Sequence, residues 1–381
     1  MQNTTNTNEQ YQYGERQIEA MPKKEMTLYN GQLAGYISSF LGVFSFLAVL
    51  CFLFPTYLTT QTLREVYNPD FLKIMLQVGM WASILFAVIC IVIERRRKLA
   101  IVGVLYTSWA HLLGGYSINY EQATDDVFSF GFDWLILAFI ISAIICITLE
   151  KTFPKYKEQV VLRPKWKLDM VYFSVNHLLI TGFMLVGNWG CHQFSWAINE
   201  DFQAQIRTIP VILQFLIIFM CADFILYWSH RVFHIYPKLW KFHAVHHSTE
   251  HMDWLAGSRS HMVHSVFERS LIMLLLFLLG ADKTVVDTYI IFAATQAVLI
   301  HLNSDLPVGW LRFILVTPQF HHWHHASDQP AIDTNFAAHT VLFDRLFGTY
   351  HMPIKYWPKK YGTTKPLPQT YIGQFLYPFK D

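Results

Sequence analysis

Histidine carries the chemistry this chain first suggests. Thirteen of its 18 histidines lie between residues 230 and 325, a quarter of the sequence. They fall into patterned groups. His230 and His234 stand four apart, His243, His246 and His247 form H-x-x-H-H, and the run His321, His322, Trp323, His324, His325 contains a second H-x-x-H-H. Residues at i, i+3 and i+4 share one helix face, so a single helix can offer several imidazoles to one centre. Imidazole is a ligand for iron, zinc and copper. Eight or more such ligands are too many for one ion and suit two. Carboxylates are scarce among the groups, unlike the Glu-rich soluble di-iron bundles. No side chain beyond the metal ligands is singled out as catalytic.

The elements that position these groups read as membrane helices. The chain is 53% hydrophobic and 15% charged, against about 25% charged in soluble domains. Apolar runs at 32–55, 71–93, 99–116, 129–149, 170–188 and 209–229 are spans by length. Lys and Arg concentrate before the first run, in 94–98 and in 151–167, which are alternate loops. By the positive-inside bias this places the N-terminus in the cytoplasm and returns the chain there at His230. Two further apolar limbs, 265–279 and 285–302, form a hairpin that begins and ends on that side and delivers His321–His325 to it. The fold class expected is an all-α integral membrane protein, a multi-pass helical bundle with a cytoplasm-facing, histidine-rich metal site at the helix ends.

Four segments follow: a disordered polar tail, 1–29; a four-span region, 30–150; a catalytic region, 151–353; and a surface tail, 354–381. No cleavable signal peptide is visible. The five cysteines show no C-x-x-C and read as small buried hydrophobes. A net charge of +2 with no basic stripe gives no footprint for nucleic acid.

Polar neighbours are candidates for supporting the ligands. Asp223 lies two helical turns before His230, where its carboxylate could accept a ligand histidine's free N–H and fix its tautomer. Asn303 and Asp305 in H-L-N-S-D, His261 and His264 in R-S-H-M-V-H, and His322 inside the third group are further candidates. His111, His177, His192, His251, His339 and His351 lack cluster spacing and read as structural.

These residues resemble the fatty acid hydroxylase / sterol desaturase superfamily. The likeness covers about Pro154 to Pro353 and rests on the three histidine boxes together with D-F-I-L-Y-W-S-H-R, H-L-N-S-D-L-P, T-P-Q-F-H-H-W-H-H and F-D-R-L-F-G-T-Y. It implies a membrane oxidoreductase of lipid metabolism, with a cytoplasm-facing di-iron centre that uses O2 to hydroxylate or desaturate a lipid such as a fatty acyl chain or sterol. Carried over box by box, the implied ligands are His230, His234, His243, His246, His247, His321, His324 and His325, with His301 as a further one. The chain departs from the family pattern at Met262, where many relatives have proline, and at the extra His322. The four spans over 32–149 lie outside the likeness.

No haem motif, flavin fingerprint or ferredoxin cysteine set is present, so electrons are expected from a separate ferredoxin, cytochrome b5 or reductase. Two rival readings are a zinc-dependent membrane hydrolase, with Glu250 near the second box, and a metal transporter or sensor. A transporter would place ionisable groups midway along spans; here the histidines sit at span ends.

Overall fold

The computed structural model of the chain describes residues 33–94, 97–118, 131–193, 196 and 198–380, with side chains at 61, 62 and 180–192 excepted. The tail 1–29, Arg95 and Arg96 of the basic loop, and most of the loop 117–128 lie outside the described residues, as do the side chains of Cys191 and His192. Among the described residues the protein is helical, with no strand and only the isolated bridges Pro154–Ser304, Leu315–Thr340 and Ala326–Tyr361.

Three helices form an N-terminal unit: α1 (Leu33–Leu53), α2 (Pro69–Val92) and α3 (Arg97–Leu112). Their seam is made of small residues. Lipid surrounds such helices and supplies no hydrophobic drive for them to associate, so close backbone approach and polar contacts must hold them. Gly35 faces Leu99 and Gly42 faces Gly103, so α1 and α3 run parallel; Cys90 near the end of α2 also meets Gly35. Ser83 donates to Ser38 O (2.9 Å) and Thr107 to Ser83 Oγ (2.9 Å). Glu94 accepts from the N–H groups of Ala34 (2.9 Å) and Gly35 (3.3 Å), capping α1.

A Cβ on Gly42 would stand 2.5 Å from Gly103 O, and one on Gly103 would collide with Ser38. Gly103→Leu is therefore expected to part α1 from α3 and cost at least about 1–3 kcal/mol. Gly79→Ala, whose Cβ would meet only Ser45 Oγ at 3.4 Å, is the matched control. Size-exclusion profiles of the two detergent-solubilised variants check this, with a monodisperse Gly103→Leu counting against the seam.

The second half begins with α4 (Phe132–Thr152) and α5 (Trp166–Gln193), followed by the short α6 (Glu200–Thr208). Next come α7 (Val211–Ile235), α8 (Pro237–His247), α9 (Met262–Leu279), α10 (Lys283–Leu299), α11 (Pro318–His324), α12 (Leu342–Leu346) and α13 (Tyr371–Leu376). Helices α1, α2, α4, α7 and α9, and α3 with the turn after it, are long and apolar enough to cross a membrane. Helix α5 occupies the predicted span 170–188.

The predicted hairpin 265–302 is present as α9 and α10. Its first limb starts earlier than the apolar run indicates, because His261 caps it by accepting from Val263 N–H (3.1 Å). That makes α9 18 residues, about 27 Å at 1.5 Å per residue. The turn uses Gly280 at φ 56°, a left-handed conformation suited to glycine. It is tied to α6 and α7 by Gln203, donating to Phe277 O (2.9 Å), and by Gln214, donating to Asp282 Oδ2 (2.8 Å).

Most of the segment after residue 353 is exposed or half-buried, and a few contacts tie it to the helices. Leu367 is buried with Tyr172, Ala244 and Val245, Gln374 accepts from Tyr172 OH (2.9 Å), and Phe375 O accepts from His261 Nε2 (3.0 Å). Its prolines and aromatic residues make it look like a loose polar end, but they pack it beside the histidine-bearing α8. The basic loop 151–167 has packing partners as well as any topological role. Lys155 is 3.9 Å from Asp305, Lys165 is 2.8 Å from Glu250, and Arg163 is buried.

Candidate metal centre

The first two histidine boxes are brought face to face by a proline. Tyr236 precedes Pro237 and is therefore pushed toward extended geometry; it is found at φ −91°, ψ 115°. Helix α7 stops there, and Pro237 opens α8 at a position where its missing N–H costs nothing. His230 and His234 on α7 then meet His243 and His247 on α8. The third box lies on α11, started by Pro318 and by Thr317, whose hydroxyl accepts from Phe320 N–H (3.4 Å). His301 stands just past the end of α10.

Nine histidines converge as two groups: His230, His234, His243, His247 and His324 in one, and His246, His301, His321 and His325 in the other. Within each group the candidate ligand atoms lie within 4.8 Å of one another. These are the nine residues implied as ligands, and their partition is new information. Each H-x-x-H-H box serves both groups. The outer pair of the second box, His243 and His247, goes to the first group and His246 to the second. The third box reverses this, sending His324 to the first group and His321 with His325 to the second. Helix geometry explains the split: i and i+4 point nearly together, while i+3 leans to the side.

Neighbouring ring nitrogens nearly touch. In the first group, Nε2 of His243 lies 2.8 Å from that of His230 and 3.1 Å from that of His247, which is 2.9 Å from that of His324. In the second, Nε2 of His301 lies 3.2 Å from that of His246 and 3.0 Å from that of His321, which is 3.1 Å from that of His325.

The tautomers test whether a metal fits. His246 Nδ1 faces Arg259 O (2.8 Å) and His301 Nδ1 faces Ala297 O (2.7 Å). A carbonyl only accepts, so both Nδ1 atoms carry the proton and both Nε2 atoms present bare lone pairs. Two lone pairs 3.2 Å apart cannot bond each other; a cation must share them. Protons are poor candidates, because burial pushes His246 down to about 4 and holds His301, near His246, well below the usual histidine range. In the first group His230 Nδ1 donates to Phe336 O (2.8 Å) and His324 Nδ1 to Thr334 O (2.8 Å), again turning Nε2 inward. His234 Nδ1 donates to Asp333 (3.1 Å), and its buried Nε2 has no hydrogen-bond partner. The donor set fits metal ions, and it is all imidazole.

The supporting layer departs in part from expectation. Asp223 reaches none of the nine histidines. Its Oδ1 accepts from the N–H groups of Ala338 (3.1 Å) and His339 (2.7 Å), and its Oδ2 from Thr340 N–H (2.9 Å) and hydroxyl (2.7 Å). The reason is competition: four nearby donors of the 338–340 loop claim the carboxylate. Its effect on His230 passes through that loop, which also supplies Phe336 O. Asp344 holds the same loop from Phe336 N–H and Ala337 N–H (both 2.8 Å), and burial raises its pKa to about 6. Asn335, at φ 59°, donates to Phe320 O (2.9 Å) and His351 O (2.6 Å).

Asn303 accepts from Tyr156 N–H (2.9 Å), and its own N–H donates to Glu150 (3.0 Å), so it ties the His301 segment to the end of α4. Asp305 is half exposed beside Lys155 and touches no ligand. His322 is fully buried; its Nε2 donates to Leu302 O (3.0 Å) and its Nδ1 accepts from Tyr361 OH (2.9 Å). His264 packs its ring 4.5 Å from that of His243, with Nε2 3.4 Å from Glu268. His261 caps α9 and lies against Phe375, outside both groups.

Sequence reading missed two features. Backbone carbonyls at Arg259, Ala297, Thr334 and Phe336 fix the tautomers of His246, His301, His324 and His230, and no residue type announces a carbonyl. The other is a buried ionic quartet. Asp169 pairs with Arg163 (2.5 Å) and Arg259 (2.5 Å), and Arg163 pairs with Asp253 (2.7 Å). It anchors the residue whose carbonyl holds His246. Its members are spread over 97 residues, and only Arg259, in R-S-H, stood near a motif.

Comparison with known proteins agrees with this geometry. Residues 215–349 match the family model for fatty acid hydroxylase. An ornithine lipid hydroxylase of Rhizobium tropici is 32% identical over 170 residues, 45% of this chain and 51% of that protein. The alkylglycerol monooxygenase of Xenopus tropicalis is 30% identical over 153 residues, covering 39% of this chain and 32% of its own length. The human alkylglycerol monooxygenase is 29% identical over 149 residues, 39% of this chain and 33% of that protein. The chain thus spans about half the length of these relatives or less. No solved structure matches it. Residues 215–349 contain all nine histidines of the two groups, so the stretch that matches the fatty acid hydroxylase model is the stretch that builds the candidate centre.

Proposed function

We propose that this protein is a membrane-bound, O2-dependent lipid hydroxylase with two irons, one in each histidine group. The observation that carries the reading is the pair of groups built from boxes shared between them. Iron bound there would supply reductive activation of O2 and oxidation of an unactivated C–H bond. The chain's residues hold the rings. Carbonyls at Arg259, Ala297, Thr334 and Phe336 keep the Nδ1 protons in place, and burial keeps the Nε2 atoms unprotonated. The relatives' names, hydroxylase and monooxygenase, favour oxygen insertion over desaturation and a membrane lipid as substrate.

The alternation of basic loops supports a cytoplasmic centre and N-terminus. An external one-electron donor completes the reaction. The hydrolase reading has little support. Neither group contains a carboxylate, and Glu250, the base it would use, is paired with Lys165 at 2.8 Å. The test is a comparison of lipid extracts from cells with and without the protein, grown with and without O2. A lipid heavier by one oxygen atom, formed only aerobically and only with the protein, is expected. A product that forms equally without O2 would refute oxygenase chemistry.

A further inference from the structure

A cleft of about 410 Å³ lies between α1, α3, α4 and α5, outside the family domain. Its volume is in the range of small-molecule sites, about 300–1,000 Å³. Helix α1 has two faces. Gly35, Ser38 and Gly42 press against the neighbouring helices of the N-terminal unit, while Phe40, Val43 and Phe44 line the cleft. Across the cleft α1 meets the second half through aromatic rings. Phe40 and Phe44 lie 5.5 and 5.2 Å from Phe139, and Tyr36 lies 5.2 Å from Trp166. Spaced rings leave room that the close seam on the other face does not.

The setting and the charge indicate the occupant. The walls are almost wholly apolar, and three of the four helices that form them, α1, α3 and α4, are long and apolar enough to span. Such a space stays dry, and the medium around it is hydrocarbon. One end is polar. Tyr36, Leu99 and Trp166 lie in the first turns of α1, α3 and α5, so the starts of these helices gather there. Arg97 and Lys98 immediately precede Leu99, and exposed Lys167 holds its ammonium 5.8 Å from the Trp166 ring. The acids near this end are engaged: Glu94 by the N–H groups of α1, Asp169 by two arginines. With those acids engaged, the cations at this end favour an anion.

We propose that the cleft binds an acyl chain of an anionic phospholipid, with its phosphate at the Arg97–Lys98–Lys167 end. The site has a packing route to the metal centre. Phe139 and Phe173 pack 5.8 and 6.2 Å from Trp254, and the loop that follows sets Gly257 against the His301 ring.

The test uses the full chain in phosphatidylcholine vesicles doped with a photoreactive lipid. The probe is phosphatidylglycerol or phosphatidylcholine with a diazirine on its acyl chain. After irradiation, the phosphatidylglycerol probe is expected to label cleft residues of α1 and α4 in preference to the phosphatidylcholine probe. Val43→Trp, and independently Ser174→Trp from the opposite wall, are expected to cut that labelling about tenfold. Lys98→Glu with Lys167→Glu is expected to abolish the preference for the anionic probe. Elution volume and circular dichroism identify any variant that does not fold. Labelling unchanged by both tryptophans overturns the proposal, as does equal labelling by the two probes. Labelling that falls on residues 1–32 in place of the cleft overturns it too.

Discussion

His247→Ala is expected to empty the first histidine group and lower turnover by more than a hundredfold, while the second group keeps its metal. Even a residue that only orients a ligand typically changes metal affinity or activity by about 10–100-fold. His247 is nearer than that: its Nε2 faces both His243 (3.1 Å) and His324 (2.9 Å), so it joins α8 to α11 within one group. His301→Ala is the complementary variant. Its Nε2 faces His246 and His321, and its loss is expected to empty the second group. Metal analysis of the two purified variants, each set beside wild type, checks the partition. If either substitution removes all metal, the groups are one cooperative unit. If either removes none, that histidine is not a ligand.

Asp223→Ala is expected to be the most damaging change outside the ligands. The carboxylate is fully buried and accepts from three backbone N–H groups and the Thr340 hydroxyl. Leaving a buried donor unpaired costs about 1–3 kcal/mol, and four such donors weigh heavily against a total stability of about 5–15 kcal/mol. The loop that loses its clamp carries Phe336 O, the acceptor for His230. Asp223→Ala is therefore expected to lower the thermal midpoint sharply and, in whatever folds, to weaken metal binding at the first group more than at the second. Asp223→Asn keeps one acceptor oxygen and is expected to fall between alanine and wild type. A thermal midpoint and metal content unchanged in Asp223→Ala would show that the loop is held by Asp344 alone.

Much of this was legible because imidazoles and spans are both written in side chains. The spacing of the boxes named eight residues and the family resemblance added His301, and the structure brings those nine together. Apolar runs marked the helices, although α9 begins before its apolar run because a histidine caps it. The division into two groups was not legible. It depends on how α8 and α11 are turned toward each other, which the Tyr236–Pro237 break and the loop clamps decide. Asp223 shows a further limit. Its helical phase placed it correctly on the face of His230, but phase does not reveal that backbone amides 115 or more residues away would claim the carboxylate first. The final segment shows where composition says little about docking. Its composition is that of a loose end, and its packing depends on single contacts such as Gln374 with Tyr172.

The most direct test of the account is the metal content of the purified full chain, measured by elemental analysis against protein concentration. The proposed centre predicts two irons per chain, one for each histidine group. A saturated preparation that is fully active with a single iron per chain, or with zinc in its place, would contradict it.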